Sequence, residues 1–163
     1  MEDDEGKKDW ATREAAKERL KAEQAAKAAE RSARDAHLKD IRGKEVFEQL
    51  RAWMDGQAKS FSDEIPEQAF KVGEKIEQFG GTCYHHFFTI SDPHGGRLPG
   101  KISYTPNPPH EIGFECPGVG QKRYFLAARD DGTLFFETPH GESKTTDELG
   151  SELLKLWRSQ RPF

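Results

Sequence analysis

The distribution of large apolar side chains divides the chain into two parts. Besides the first residue, the only large apolar side chains of residues 1–40 are Trp10, Leu20 and Leu38. Residues 41–163 contain all 11 Phe, all 3 Tyr and two of the 3 Trp. Because a core needs large apolar side chains to bury, we predict a charged Ala-rich arm at residues 1–40 and one folded domain at residues 41–163.

The arm has the composition of a long helix. Residues 7–40 contain ten Ala and no Gly or Pro, and most of their other residues also favour helices. We predict a partly disordered helix with its N-cap at Asp9. A seven-residue repeat from Ala15 to Ala36 would make a seam of small residues, but without Leu or Ile beside it a coiled coil is weak. A solvated helix is therefore favoured over a docking or dimerising helix, and a nucleic-acid-binding arm is least favoured.

Two amphipathic helices are predicted in the folded domain. Gly43 is expected to end the arm, so that the first helix covers residues 44–61. The second covers residues 146–159, and Thr145 with Glu148 forms a capping box at its start. Apolar residues recur at helical spacing in both. These are Val46, Phe47, Leu50, Trp53, Met54, Ala58 and Phe61 in the first helix and Leu149, Leu153, Leu156 and Trp157 in the second.

Between the two helices, alternating apolar and polar residues within residues 69–138 predict an antiparallel sheet of about five strands. Residues Ala69–Ile76 fit either a helix or an edge strand, and Gly73 slightly favours the strand. At the hairpin, Asp131 and Gly132 predict a two-residue turn, which would pair Ala128 with Phe135. The sequence therefore indicates an α+β domain whose sheet carries both helices on one face.

Aromatic residues occur on both faces of the central strands, although two helices can cover only one face. Alternation in a strand places His85 and Phe87 on one side. With the predicted turn, Tyr124 and Phe135 belong to that same side. Because an uncovered aromatic face is unusual for a monomer, we predict that a partner binds there. The predicted partner-binding residues are His85, Phe87, Tyr124 and Phe135. If the strand order places the other face outside, the predicted residues are instead Tyr84, His86, Phe88 and Phe136.

The segment GGTCYHHFFTISDPHGG also raises the question of a metal or catalytic site. No C-x2-C or H-x3-H spacing is present, and Cys83 and His85 are too far apart along a strand for a direct hydrogen bond. We therefore expect no catalytic residue, no metal and no cofactor. A small enzyme or metal-binding protein that uses Cys83, His85 and His86 stays as the alternative, so the question of enzymatic activity is open and a non-enzymatic role is favoured.

Charge and hydropathy narrow the function further. Lys and Arg number 25 against 29 Asp and Glu, and the net charge of −4 offers no basic field for nucleic acid. No apolar run is long enough to span a membrane, and the N-terminal residues lack the apolar region of a secretory signal. We expect a cytoplasmic, non-enzymatic interaction or assembly module that self-associates or binds a protein partner through the second face of its sheet.

Overall fold

The computed structural model describes the backbone of residues 2–80 and 83–160 and the side chains of residues 9–79 and 84–160. Helix α1 is Glu2–Glu64 and helix α2 is Thr146–Arg158, with one 3₁₀ turn at Pro66–Gln68. The strands are β1 (Lys71–Val72), β2 (Ile76–Gly80), β3 (Cys83–Ser91), β4 (Gly100–Tyr104), β5 (Glu111–Cys116), β6 (Gly120–Ala128), β7 (Leu134–Glu137) and β8 (Ser143–Lys144). The chain forms two compact units, residues 1–37 and residues 38–163.

The first unit is the N-terminal part of α1. Its described side chains are almost all exposed, Trp10 and Leu20 among them, as the composition predicts. The prediction of an N-cap at Asp9 is wrong, because α1 begins at Glu2 and Asp9 lies inside the helix, where its carboxylate pairs with Arg13 at 2.6 Å. Such exposed i,i+4 pairs contribute only a few tenths of a kcal/mol each.

The predicted break at Gly43 is also wrong, because α1 continues through this residue to Glu64. Gly43 is buried, and the ring of Tyr104 lies directly against its Cα. A glycine inside a helix costs about 1 kcal/mol relative to alanine. Here the missing Cβ lets Tyr104 approach the helix backbone, so this glycine serves packing and does not end the helix.

All eight strands belong to one curled antiparallel sheet, whose order is β1-β3-β4-β5-β6-β7-β8 with β2 also paired to β3. The α+β class is confirmed, whereas the count of about five strands is wrong. β1 and β2 both lie on the side of β3 opposite β4, and between them residues 73–75 face two residues of β3, which is a bulge. β8 follows the predicted range of 69–138 and is too short to give an alternating pattern.

Both helices pack on the same face of the sheet, here called the first face. The ring of Phe47 in α1 lies 5.3 Å from that of Phe88 and 5.5 Å from that of Tyr104. From α2, Glu152 accepts a hydrogen bond from Tyr124 at 2.7 Å. The predicted capping box of α2 is confirmed. The buried core contains Val46, Phe47, Leu50, Met54, Ala58, Phe70, Val72, Phe88, Ile90, Ile102, Tyr104, Ile112, Phe114, Cys116, Tyr124, Leu126, Phe136, Leu149, Leu153 and Trp157.

The hairpin between β6 and β7 has a longer turn than predicted. Ala128 pairs with Leu134, and Arg129 and Thr133 close a loop of three residues in which Gly132 has a φ of 83°. A three-residue loop of this kind ends with a residue in the left-handed conformation, which glycine adopts without strain. The predicted pairing of Ala128 with Phe135 is therefore off by one residue, and a shift of one residue reverses the faces of the side chains on β7 relative to those on β6.

Candidate functional site

The face of the sheet away from the helices, here called the second face, holds three of the four predicted partner-binding residues. His85, Phe87 and Phe135 lie on it, and all three are half-buried. Tyr124 lies on the first face and is buried, so the prediction that it shares a face with Phe135 is wrong. The cause is the hairpin register, which places Phe125 on the second face in its stead. The structure places the four alternative residues of this prediction together on the first face. They are Tyr84, His86, Phe88 and Phe136.

The phenylalanine rings of the second face are partly covered by cations of the same sheet. Lys101 Nζ lies 4.5 Å from the ring centre of Phe87, and the guanidinium of Arg129 lies 4.9 Å from that of Phe135. Each contact contributes about 0.5–1 kcal/mol at an exposed site. The alkyl stems of these long side chains also shield the rings from water. The second face is therefore less apolar than the aromatic residues alone predict.

A polar strip divides the second face. Phe87 is separated from the β6 and β7 aromatics by Ser103 and Gly113, which face each other on β4 and β5. Beside this strip, Arg123 donates two hydrogen bonds to Glu111, at 2.7 and 2.9 Å, and holds the pKa of that carboxyl below its ordinary value. An open cavity of about 330 Å³ lies over Gly113 and is lined mostly by polar and charged groups. The aromatic residues thus form two separate patches, one on β3 and one on β6 and β7.

The patch on β3 continues onto the edge strand β2. Ile76 is the cross-strand partner of Phe87 and is 49% exposed. On the first face, Phe79 is 75% exposed, and its ring lies 4.8 Å from that of Tyr84. The sequence analysis did not include Ile76 or Phe79 among the partner-binding residues, because it placed the strand at Ala69–Ile76. The bulge places β2 further toward the C-terminus than that range. Ile76 and Phe79 are three positions apart and lie on opposite faces of β2, so no period-two pattern marks them in the sequence.

A chain of polar groups runs from the exposed Asp40 on α1 to the buried His110 and Tyr104, and it was also missed. The Oη of Tyr104 lies 2.9 Å from Nδ1 of His110, and Nε2 of His110 lies 3.2 Å from the Asp40 carboxylate. Burial, with the Asp40 charge, raises the pKa of Tyr104 to about 12, so its hydroxyl stays protonated at neutral pH. None of the four cavities named in this section touches Tyr104 or His110. The chain therefore connects α1 to β4 and to the residue before β5.

His86 is the second buried histidine of the first face. Neither of its ring nitrogens has a hydrogen-bond partner among the described residues, and the closest anion is Glu77, whose Oε1 lies 3.5 Å from Nδ1. Burial lowers the pKa of His86, and the Lys75 and Lys44 charges lower it further, against the opposing effect of Glu77. The pKa of His110 is also lowered, by burial and then Lys39, against the opposing effect of Asp40.

We expect the fold to lose stability in mild acid. A histidine whose pKa is lower in the folded state contributes full stability above its unfolded pKa, about 6.5, and this contribution is lost as the pH falls toward the folded value. Urea unfolding measured from pH 8 to pH 5 should give a free energy that declines below about pH 6.5. His86→Phe should reduce that decline, whereas the exposed His94→Phe should leave it unchanged. Identical slopes in wild type and His86→Phe would contradict this assignment.

The residues of the alternative metal or catalytic site do not converge. His85 and His86 lie on opposite faces of β3, and His85 Nδ1 lies 3.2 Å from the hydroxyl of Thr105. The side chain of Cys83 lies outside the described residues. In the described part of the chain, no group of three or more His, Cys, Asp or Glu side chains is arranged to hold a metal ion. The buried Cys116 has a pKa raised by burial, which makes its thiol a poor nucleophile.

Three further cavities border α2. The most apolar measures about 480 Å³ and lies between α1 and α2, with Trp53, Phe61 and Leu154 in its walls and Arg158 at its rim. Tyr124 and Glu152 line a polar one of about 420 Å³, and the third, of about 610 Å³, follows the polar side of α2. All three are open grooves.

Comparison with known proteins finds no family model that matches the chain, no similar curated protein and no similar solved structure. Of the helices described, neither has the length and apolar content needed to cross a bilayer. The function is therefore argued from the geometry of the second face and its edge.

Proposed function

We propose that this chain is a non-enzymatic assembly module that self-associates through the second face of its sheet. The observation that carries the proposal is the apolar pair of Ile76 and Phe87. These two side chains are cross-strand neighbours at the free edge of the sheet, and no helix of residues 38–160 lies on their face. Apolar surface that a domain leaves uncovered in this way is typical of an interaction site.

The free energy available from burying Ile76 and Phe87 favours a symmetric contact between two copies. Burying Ile76 and Phe87 stabilises a contact by at most about 3–6 kcal/mol, since each side chain contributes about 1.5–3 kcal/mol. Association costs about 4–15 kcal/mol in lost freedom of motion. One copy of the pair reaches only the lower end of that cost, whereas a two-fold contact uses the same pair twice and doubles the gain to about 6–12 kcal/mol. A second copy of this chain is therefore the partner that we propose.

Two arguments favour assembly over catalysis. His85 and His86 point to opposite sides of the sheet, so they do not serve one reaction centre. The buried members of the polar chain, His110 and Tyr104, line none of the cavities described above. The mixed charges of the second face, with Glu111 and Glu115 among its cations, disfavour nucleic acid as the partner. A cytoplasmic location belongs to the proposal and rests on the sequence alone.

We expect the full chain to exceed its monomer mass of 18.5 kDa in light scattering coupled to size-exclusion chromatography at about 100 µM, well above a micromolar Kd. The double variant Ile76→Ser, Phe87→Ser should elute as a monomer because both copies lose the apolar pair. Leu98→Ser is the control, since Leu98 is an exposed apolar residue in the loop before β4. Circular dichroism checks that each variant is folded. A monomeric wild type at this concentration would contradict the proposal.

A further inference from the structure

The edge of the sheet formed by β2 is open. β2 pairs with β3 on one side, and no described strand pairs with its other side. The side chains of Ile76, Glu77, Gln78 and Phe79 are all exposed, which means that neither face of this strand is covered. An edge strand presents a row of N–H and C=O groups that can pair with another strand, and proteins often protect such edges with proline or with charges. β2 contains no proline and carries two large exposed apolar side chains.

We propose, on the basis of the proposed function, that two copies of this chain join by antiparallel pairing of residues 75–77 around a two-fold axis at Ile76, so that the start of β2 in one copy pairs with the start of β2 in the other. The sheet then continues from one chain into the other through backbone hydrogen bonds, the geometry by which extended segments add to open sheet edges. The occupant of the edge is therefore the identical strand of a second copy.

This register continues the apolar patch across the two chains. Ile76 lies opposite the partner's Ile76, and each is flanked by the Phe87 of its own chain. The second face then carries an unbroken row in the order Phe87, Ile76, the partner's Ile76 and the partner's Phe87. Side chains directly opposite each other in an antiparallel pair lie about 4.5–5.5 Å apart, so each of these four groups contacts its neighbour in the row.

The charges on the first face fit the same register. Lys75 lies opposite the partner's Glu77, and the symmetry forms this pair twice. Glu77 accepts a hydrogen bond from Tyr84, which lies on the first face, and this bond and the nearby His86 and Lys75 charges hold the pKa of Glu77 below its ordinary value. Because Lys75 directly precedes β2, the pairing extends the strand by one residue toward the bulge at residues 73–75.

Neighbouring registers lose both features. An axis at Glu77 places this carboxylate opposite the partner's Glu77, and like charges directly opposite each other are unfavourable. An axis at Gln78 places Ile76 opposite the partner's Gly80, which interrupts the apolar row. If the first faces of the two copies stay on the same side of the joined sheet, moving the axis by one residue shifts the register by two residues. Among these registers, the side chains of both faces favour the axis at Ile76.

A charge reversal and its restoration test the pairing. Lys75→Glu places like charges opposite each other twice, and we expect self-association of the full chain to weaken at least about tenfold in light scattering. Lys75→Glu, Glu77→Lys exchanges the charges within one chain and should restore the wild-type mass. Lys122→Glu is the matched control, because Lys122 is an exposed lysine on β6, away from the edge and from Phe87.

The outcomes separate this inference from the function on which it rests. A monomeric Lys75→Glu with a restored double variant supports the pairing. A Lys75→Glu variant that keeps the wild-type mass, while Ile76→Ser, Phe87→Ser is monomeric, overturns the edge pairing and leaves assembly through the second face. A wild type that is monomeric at about 100 µM overturns both. A double variant that stays as weak as Lys75→Glu shows that Lys75 does not face the partner's Glu77 and also overturns the pairing.

Discussion

Gly43→Ala is expected to lower the free energy of unfolding by about 1–2 kcal/mol, although alanine is the better helix former. A Cβ at residue 43 would overlap the hydroxyl and the ring end of Tyr104, which is itself buried and hydrogen-bonded to His110. Overpacking of a core costs about 1–3 kcal/mol and occasionally more, against a gain of about 1 kcal/mol in helix propensity. Urea or thermal unfolding of the purified variant measures the difference.

Gly56→Ala is the matched control, because Gly56 lies in the same helix, is exposed and would have no atom within 4 Å of an added Cβ. We expect it to raise the free energy of unfolding by up to about 1 kcal/mol. Combining Gly43→Ala with Tyr104→Phe should recover part of the loss, because the overlapping hydroxyl is removed. Equal stability of Gly43→Ala and Gly56→Ala would contradict the packing that the structure describes.

Trp157→Ala is expected to have the largest effect, a loss of about 3–5 kcal/mol in the free energy of unfolding. Trp157 is 1% exposed, its ring centre lies 5.2 Å from that of Phe70, and its Nε1 donates a hydrogen bond to the Leu98 carbonyl at 3.0 Å. Truncation leaves a cavity between α2 and the sheet and removes one of the two hydrogen bonds to the Leu98 carbonyl, the other being donated by Gln160. Urea denaturation followed by circular dichroism measures the loss.

Trp10→Ala provides the control for this substitution, because the same side chain is removed from a site that is 66% exposed. Surface substitutions away from special features change stability by less than about 0.5 kcal/mol. A loss of less than about 1 kcal/mol for Trp157→Ala would mean that α2 does not pack against the sheet as described.

The candidate site shows how one local error changes a functional prediction. His85 and Phe87 are assigned to one face by the alternation within β3 alone, and the structure agrees. Tyr124 and Phe135 are related only through the hairpin, so their relative placement depends on the loop length. Asp131 and Gly132 favour a turn at the correct place, yet a two-residue and a three-residue loop share this sequence signal. Alternation within a strand is thus more reliable than a face assignment carried across a turn.

The polar chain of Asp40, His110 and Tyr104 could not be predicted for a different reason. Its members come from α1, β4 and the residue before β5, and their sequence separation gives no spacing rule. The exposed pair on β2 depends on a bulge that moves the strand past Ala69–Ile76, and a single inserted residue leaves no periodic trace in so short a segment.

The sequence by itself determined the α+β class, the helical arm, the apolar stripes of both helices, the capping box of α2 and the faces of the long strand β3. These features follow from local propensity and from periods of 3.6 and 2.0, which a single segment expresses alone. Only the tertiary structure decided that α1 passes through Gly43, that Tyr124 faces α2 and that β2 is the open edge. Each of these depends on contacts between distant segments, where a close approach, a loop length or a bulge outweighs the local signal.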